Sequence, residues 1–194
     1  KRYDQVYHEH ITYFTVNFAS NLSRILNLKF FDFDIVNYHG KSIRFYFTLN
    51  NNNIHKIKRE KIKKQIKLEV KNKLFNYSYY RSFQNQIILN RNKTLEKILY
   101  YYNKNYSVIA VGAAAKSNTW LNFHKIDNKI IKFITDRSEN KINKYTPLSR
   151  IKVVDDINIK YEKKPIIIIS TWNIFDILKA KILKLNKSAK FIKV

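Results

Sequence analysis

From residue 106 onward the chain alternates short apolar runs with helical patterns. "YSVIAVG" (106–112) is a continuous apolar run closed by Gly112. A run that is apolar on both alternating faces suits a strand covered on both sides, the condition found in parallel sheets. "AAAKSNTWLNF" then reads as a turn and a helix, and "IIKFITD" as a strand with Asp136 at its C-terminal end. "IKVV" is short and extended, "KPIIIIS" is a fully apolar strand, "TWNIFDILKAKILKL" is a helix and "AKFIKV" a last strand. Strands alternating with helices predict an α/β arrangement, a parallel sheet with helices on its faces, because parallel neighbours need a crossover connection.

The first hundred residues read differently. Residues 16–28 place Phe18, Leu22, Ile25 and Leu26 at helical spacing. "KFFDFDIVNY" alternates Phe31, Phe33 and Ile35 against Asp32 and Asp34, a strand with one buried face. "HGKS" follows as a turn and "IRFYFTL" (43–49) as a second strand. The four asparagines 50–53 are the best linker candidate. Residues 54–75 form a basic amphipathic stretch with Ile54, Ile57, Ile62, Ile66, Val70 and Leu74 as its stripe, and a further helix covers roughly 88–103 with Leu95, Ile98, Leu99 and Tyr102 on one side.

Charge is the second constraint. Thirty-eight Lys and Arg against fourteen Asp and Glu give a net charge of +24 over 194 residues. Clustered cations suit a polyanion partner. Here, however, Lys, Asn, Ile, Tyr and Phe are all enriched while Gly, Ala, Pro and Arg are scarce, the mark of AT-rich coding sequence. The charge is spread along the chain, no stacked-aromatic RNA motif occurs, and no specific nucleic-acid partner is expected. No run of eighteen apolar residues exists, so no membrane partner is expected either. The absence of Cys excludes disulfides and thiolate metal sites.

Two stretches carry candidate chemistry. In "VGAAAKSNT", Gly112 ends a strand while Lys116, Ser117, Asn118 and Thr119 open a helix. Backbone N–H groups at a helix start attract anions, and a neighbouring lysine adds charge. The spacing matches neither a P-loop nor the dinucleotide fingerprint, so a phosphate group and an ordinary strand–helix turn both remain open. The loop "KYTPLSRI", with Lys141, Lys144 and Arg150 around Pro147, is a second phosphate candidate or a charged surface loop. The other stretch is "YHEH", Tyr7 to His10, which concentrates two of the five histidines. An imidazole titrates near neutral pH, so His10 is a candidate general base, with Tyr7 and Glu9 orienting it or a substrate. Metal binding by His8 and His10 competes with this, but two ligands without a third make a weak site, and no metal is expected.

In order along the chain, "YHEHITYFTVNFASNL", "HGKSIRFYF", "VGAAAKSNTWLNF", "FITDRSENKINKYTPLSRI" and "IIIISTWN" resemble the C-terminal half of SAM-dependent sugar C-methyltransferases. Members of that family carry a small zinc domain, then a SAM-binding methyltransferase domain, then a C-terminal Rossmann-like domain. The resemblance implies that residues 1–53 are the last helix and strands of the methyltransferase domain, 54–104 a helical connector, and 105–194 the Rossmann-like domain. It implies a nucleotide-linked keto-sugar as substrate and S-adenosyl-L-methionine as cofactor, bound mainly by a part preceding Tyr7, where any zinc would also lie. His10 is then the general base, and Tyr7 and Glu9 face the sugar. Gly112, Lys116, Ser117, Asn118, Thr119 and Lys144 hold the nucleotide-sugar. The piece is expected to be cytoplasmic and inactive alone. The sequence departs from the family at Lys41, where Gly is usual, and at Pro147-Leu148-Ser149, where Pro-Gly-Thr is usual. Leu148 lacks glycine's easy access to positive φ. Two other classes remain open: a nucleotide-binding module without chemistry, and a basic nucleic-acid-binding protein.

Overall fold

The computed structural model describes residues 3, 5–7, 9–38, 41–171 and 174–193. His8, the His39-Gly40 part of the expected turn and the Trp172-Asn173 start of the expected last helix lie outside the described residues. The chain divides into two compact units, 11–84 and 1–10 with 85–194.

In the 11–84 unit, α1 (Val16–Ile25) precedes an antiparallel hairpin of β1 (Leu28–Val36) and β2 (Ser42–Leu49), and α2 (Arg59–Lys71) follows. The asparagine run lies inside this unit, between β2 and α2. The hydrophobic pattern misplaces the buried faces. Phe30 and Phe33 are the buried phenylalanines of β1, whereas Phe31 is half-buried and Ile35 exposed. The cause is a bulge: the register shifts between Phe30 and Asp32, so Phe31 is an extra residue and the inside–outside alternation inverts there. Asp32, expected on the solvent side, is buried. Lys58 and Lys61 pair with its carboxylate at 2.7 and 2.8 Å, and the Phe33 N–H donates to it at 2.8 Å. Burial alone raises this carboxyl, but the two lysine hydrogen bonds prevail and bring it down to about 2.

α1 likewise turns its small residues inward. Val16, Ala19 and Ser23 are buried, while Ile25 and Leu26 of the expected stripe are exposed. Small side chains let the helix approach the phenylalanines of the hairpin closely. On α2, Ile62 is buried and Ile66 packs beside it, but the expected Ile54 and Val70 are exposed and Glu69 is buried instead. Glu69 is there because α1 needs it: its two carboxylate oxygens accept the Val16 and Asn17 N–H groups at 2.7 and 3.0 Å. These are first-turn donors with no partner inside the helix.

α3 (Tyr77–Asn103) leads into the other unit, where its Ile98 is fully buried and Leu95 packs beside it. Leu99 and Tyr102, expected on the same face, are largely exposed. The sheet follows: β3 (Ser107–Val111), α4 (Ala115–His124), β4 (Phe133–Thr135), β5 (Val153–Val154), a 3₁₀ helix (Asp156–Tyr161), β6 (Pro165–Ile169), α5 (Phe175–Leu185) and β7 (Lys190–Lys193). The five strands are parallel in the order β5-β4-β3-β6-β7. That is the doubly wound Rossmann-like order, with helices on both faces. Val108, Ala110, Ile166 and Ile168 pack on one face with Ile98 of α3 and Trp120 and Leu121 of α4. Ile109, Val111, Ile167 and Ile169 pack on the other with Ile159 and with Ile182 of α5. The unbroken isoleucine run of β6 is thus explained, since both faces are dry.

His124 closes α4 and is 2% exposed. Its ring stacks on Trp120 at 3.9 Å and its Nδ1–H donates to the Trp120 carbonyl at 2.8 Å. Burial pushes the imidazole down to about 4; the Trp120 carbonyl partly opposes this, and Arg91 adds to it. The unfolded chain, with an ordinary imidazole, takes up a proton first on acidification, so folding stability falls as pH drops from about 6.5 to about 4. The difference corresponds to about 3 kcal/mol at most. Urea unfolding of the wild type and of His124→Gln across this range is expected to show the acid slope reduced in the variant; equal slopes would remove His124 as its source.

Candidate functional site

In a doubly wound sheet, ligands bind outside the carboxyl ends of the strands where the strand order reverses, here between β3 and β6. Gly112 leaves β3 with φ +92°, and a Cβ at that position would lie 3.3 Å from the Thr171 Cγ2. A side chain would therefore be strained and crowded, so this position requires glycine. The chain then enters α4 through Ala114, an N-cap with no side-chain acceptor. The positive end of the helix is left to whatever occupies the space before it.

Beside that helix start, on the β4 and β5 side of β3 rather than toward β6, lies a cavity of about 320 Å³. Ala113, Ala114, Ala115, Ser117 and Asn118 form one wall, Ile134 and Val153 the floor, and the loop bearing Lys141, Lys144, Tyr145, Thr146 and Pro147 the other wall. The alanines keep the backbone accessible. Asp136, at the end of β4, ties the two walls: its Oδ2 accepts the Ala113 N–H at 2.9 Å and pairs with Lys141 at 3.2 Å, and its Oδ1 accepts the Ser138 N–H. It acts as the turn residue that its position at the strand end suggests. The Ser117 hydroxyl meets that of Ser170 at 2.5 Å, joining α4 to the end of β6. The Oδ1 of Asn118 is buried without a hydrogen-bond partner among the described residues. An uncapped helix start, two lysines and an orphaned amide oxygen suit an anionic ligand that also carries donors.

The loop keeps its shape without the glycine expected from the resemblance at position 148. Leu148 has φ +63° and is 85% exposed, and Arg150 and Lys41 also have positive φ. Thr146 fixes the turn: its hydroxyl meets the Ser149 hydroxyl at 2.6 Å and accepts the Ile151 N–H at 2.9 Å, while its carbonyl accepts the Arg150 N–H at 3.0 Å. The left-handed leucine costs about 1–2 kcal/mol, which these bonds offset.

Among the candidate ligand residues, Ser117, Asn118 and Lys144 line the cavity. Gly112 shapes the turn behind it, and Lys116 and Thr119 stand outside its lining. The Thr119 hydroxyl donates back to the Ala115 carbonyl at 3.2 Å. Ser170 and Thr171 were not apparent as site residues in the sequence; the only signal for them is their place just after the apolar run of β6.

Tyr7, Glu9 and His10 belong to the same unit as this cavity but lie outside its lining. Backbone hydrogen bonds link the described residues of this stretch. The Val6 N–H donates to the Tyr3 carbonyl at 2.9 Å and the His10 N–H to the Tyr7 carbonyl at 2.9 Å. The rings of Tyr7 and His10 lie 4.1 Å apart. The Nδ1 of His10 is 2.7 Å from the Gln5 carbonyl, which can only accept. Nδ1 therefore carries the proton, and in the neutral ring the lone pair sits on Nε2, the arrangement a base needs. Glu9 is exposed on the same turn. Among the described residues no group of three His, Cys, Asp or Glu is placed to hold a metal ion. No helix among them is long and apolar enough to cross a membrane.

A family model described as C-methyltransferase C-terminal domain matches residues 37–194. No curated protein matches the chain.

Proposed function

The chain belongs to the C-methyltransferase C-terminal domain family, and from that premise we propose that it holds a nucleotide-linked keto-sugar for methylation at carbon and supplies the base. The observation that carries this is the uncapped start of α4 facing a cavity edged by Lys141 and Lys144. The diphosphate lies against the first-turn N–H groups of α4 at Ala115 and Ser117, with Lys144 opposite, while Lys116 and Thr119, outside the lining, contribute at most at longer range. The same donor set disfavours the sulfonium and ammonium of S-adenosyl-L-methionine, so the cofactor belongs to another part of the enzyme. When bound there it supplies the methyl group.

His10 Nε2 takes the proton from the carbon beside the ketone. The electron pair left behind becomes an enolate, and its carbon is the atom that receives the methyl group. Nδ1 keeps its own proton on the Gln5 carbonyl throughout, so the ring does not turn. Tyr7 and Glu9 orient the sugar so that the acidic C–H meets Nε2. Such orientation contributes to rate in addition to the proton transfer itself.

Calorimetric titration of the chain with uridine diphosphate and thymidine diphosphate tests the cradle. At least one is expected to bind, and Lys144→Glu to weaken it about tenfold or more, because a charge-assisted contact becomes a repulsion. Titration with S-adenosyl-L-methionine is expected to give no heat. Diphosphate affinity unchanged in Lys144→Glu would rule out this cradle.

A further inference from the structure

We propose that Tyr3 is a positioning residue for His10, pinning to α4 the run of turns that aims the imidazole. This rests on the reading of His10 as the base.

The ring of Tyr3 packs 4.5 Å from that of Phe123 and against the edge of the core. Its hydroxyl oxygen lies 3.3 Å from the Nδ1 of His124, whose N–H it shares with the Trp120 carbonyl. Both partners are themselves held. His124 is buried and stacked on Trp120, and Phe123 lies under the Arg91 guanidinium at 5.6 Å. Tyr3 is thus fastened to the last turn of a core helix, 121 positions away in the chain.

From there the connection to the base is short. The Tyr3 carbonyl accepts the Val6 N–H, closing a turn that contains Gln5. The Gln5 carbonyl accepts both the Tyr7 N–H at 3.2 Å and the His10 Nδ1–H at 2.7 Å. The direction of Nε2 therefore depends on where the Gln5 carbonyl points, and that depends on the turn anchored by Tyr3. In water an imidazole rotates freely and favours the Nε2–H tautomer. Holding the proton on Nδ1 requires a fixed acceptor, here the Gln5 carbonyl on an anchored stretch of backbone.

The test has two arms. In the chain itself, ¹⁵N NMR of the His10 ring reads the tautomer. The wild type is expected to show Nδ1–H, Tyr3→Ala a shift toward Nε2–H, and Tyr3→Phe, which keeps the ring on Phe123, the wild-type pattern. In the enzyme that joins this chain to its SAM-binding part, Tyr3→Ala is expected to lower kcat for methyl transfer by about 10- to 100-fold, since misplacement of a reacting group by about 1 Å costs that much. KM for the nucleotide-sugar is expected to stay within about twofold, and Tyr3→Phe to restore kcat to within about threefold of wild type. Tyr3→Leu, which keeps an apolar side chain at the core edge, serves in both arms if the thermal melt of Tyr3→Ala shows loss of the fold. An unchanged tautomer in the folded Ala or Leu variant overturns the proposal, as does an altered tautomer with unchanged kcat. If His10→Ala itself leaves kcat intact, it is the base assignment that fails; the NMR arm then still decides whether Tyr3 aims the ring.

Discussion

Replacing His10 with alanine is expected to lower the rate of methyl transfer by about 10²- to 10⁴-fold, the usual contribution of a positioned general base. The loss should fall on kcat and kcat/KM alike, because proton abstraction occurs only in the transition state. Diphosphate affinity should not change, since His10 lies outside the lining of the cavity proposed to take the anion. His10→Asn is the sharper variant. Its amide can still donate toward the Gln5 carbonyl, so the turn is kept, but it has no basic nitrogen. If the Asn variant retains more than about a tenth of the wild-type rate in steady-state assays of the joined enzyme, the base lies elsewhere. The chain would then be a nucleotide-binding module whose chemistry is done by other parts.

The largest structural effect is expected at Glu69. Its carboxylate is 2% exposed and holds the first two N–H groups of α1, one of them fully buried on Val16. Hydrogen bonds to a charged acceptor contribute about 1.5–3 kcal/mol each, and removing the acceptor leaves buried donors unpaired. The carboxylate also complements the positive end of the helix. Glu69→Ala is therefore expected to lower the unfolding free energy by about 4 kcal/mol, part of it from the space the side chain vacates. Glu69→Gln keeps one acceptor oxygen and should recover about half. Urea unfolding followed by circular dichroism measures both. A loss below about 1 kcal/mol for the alanine variant would mean that water reaches the helix start and replaces the carboxylate.

Glu69 also shows what a hydrophobic pattern conceals. In the sequence it stands beside Val70 on a lysine-rich helix, where Val70 looks like the core residue. In the fold Val70 is exposed and the acid is inside, because two backbone donors 53 and 52 positions away need an acceptor. The same holds for Asp32. Alternation puts it outside, yet the bulge at Phe31 and the approach of Lys58 and Lys61 enclose it. In the cavity, Lys144, Ser117 and Asn118 could be named from their loop and helix start. Asp136, by contrast, could not be seen to tie the two walls together, nor Ser170 to meet Ser117.

The residues alone determined the sheet. Strands such as "SVIAV" and "PIIII" are apolar on both faces, and such runs separated by helices have one compact solution, because each face must be covered and parallel neighbours must be joined by crossovers. The acceptor-poor start of α4 was equally local, since a helix whose N-cap is an alanine, Ala114, has no side chain to cap it. Only the tertiary structure decided which faces of α1, β1 and α2 turn inward, that Tyr3 reaches His124, and that Leu148 adopts a glycine's backbone. The first two depend on a hydrogen-bonding group or a packing partner far away in the chain, whereas Leu148 is held by the bonds that Thr146 makes within its own loop. Local periodicity records whether a side chain is apolar, but not which distant backbone N–H needs an acceptor or where an extra residue reverses the alternation of a strand.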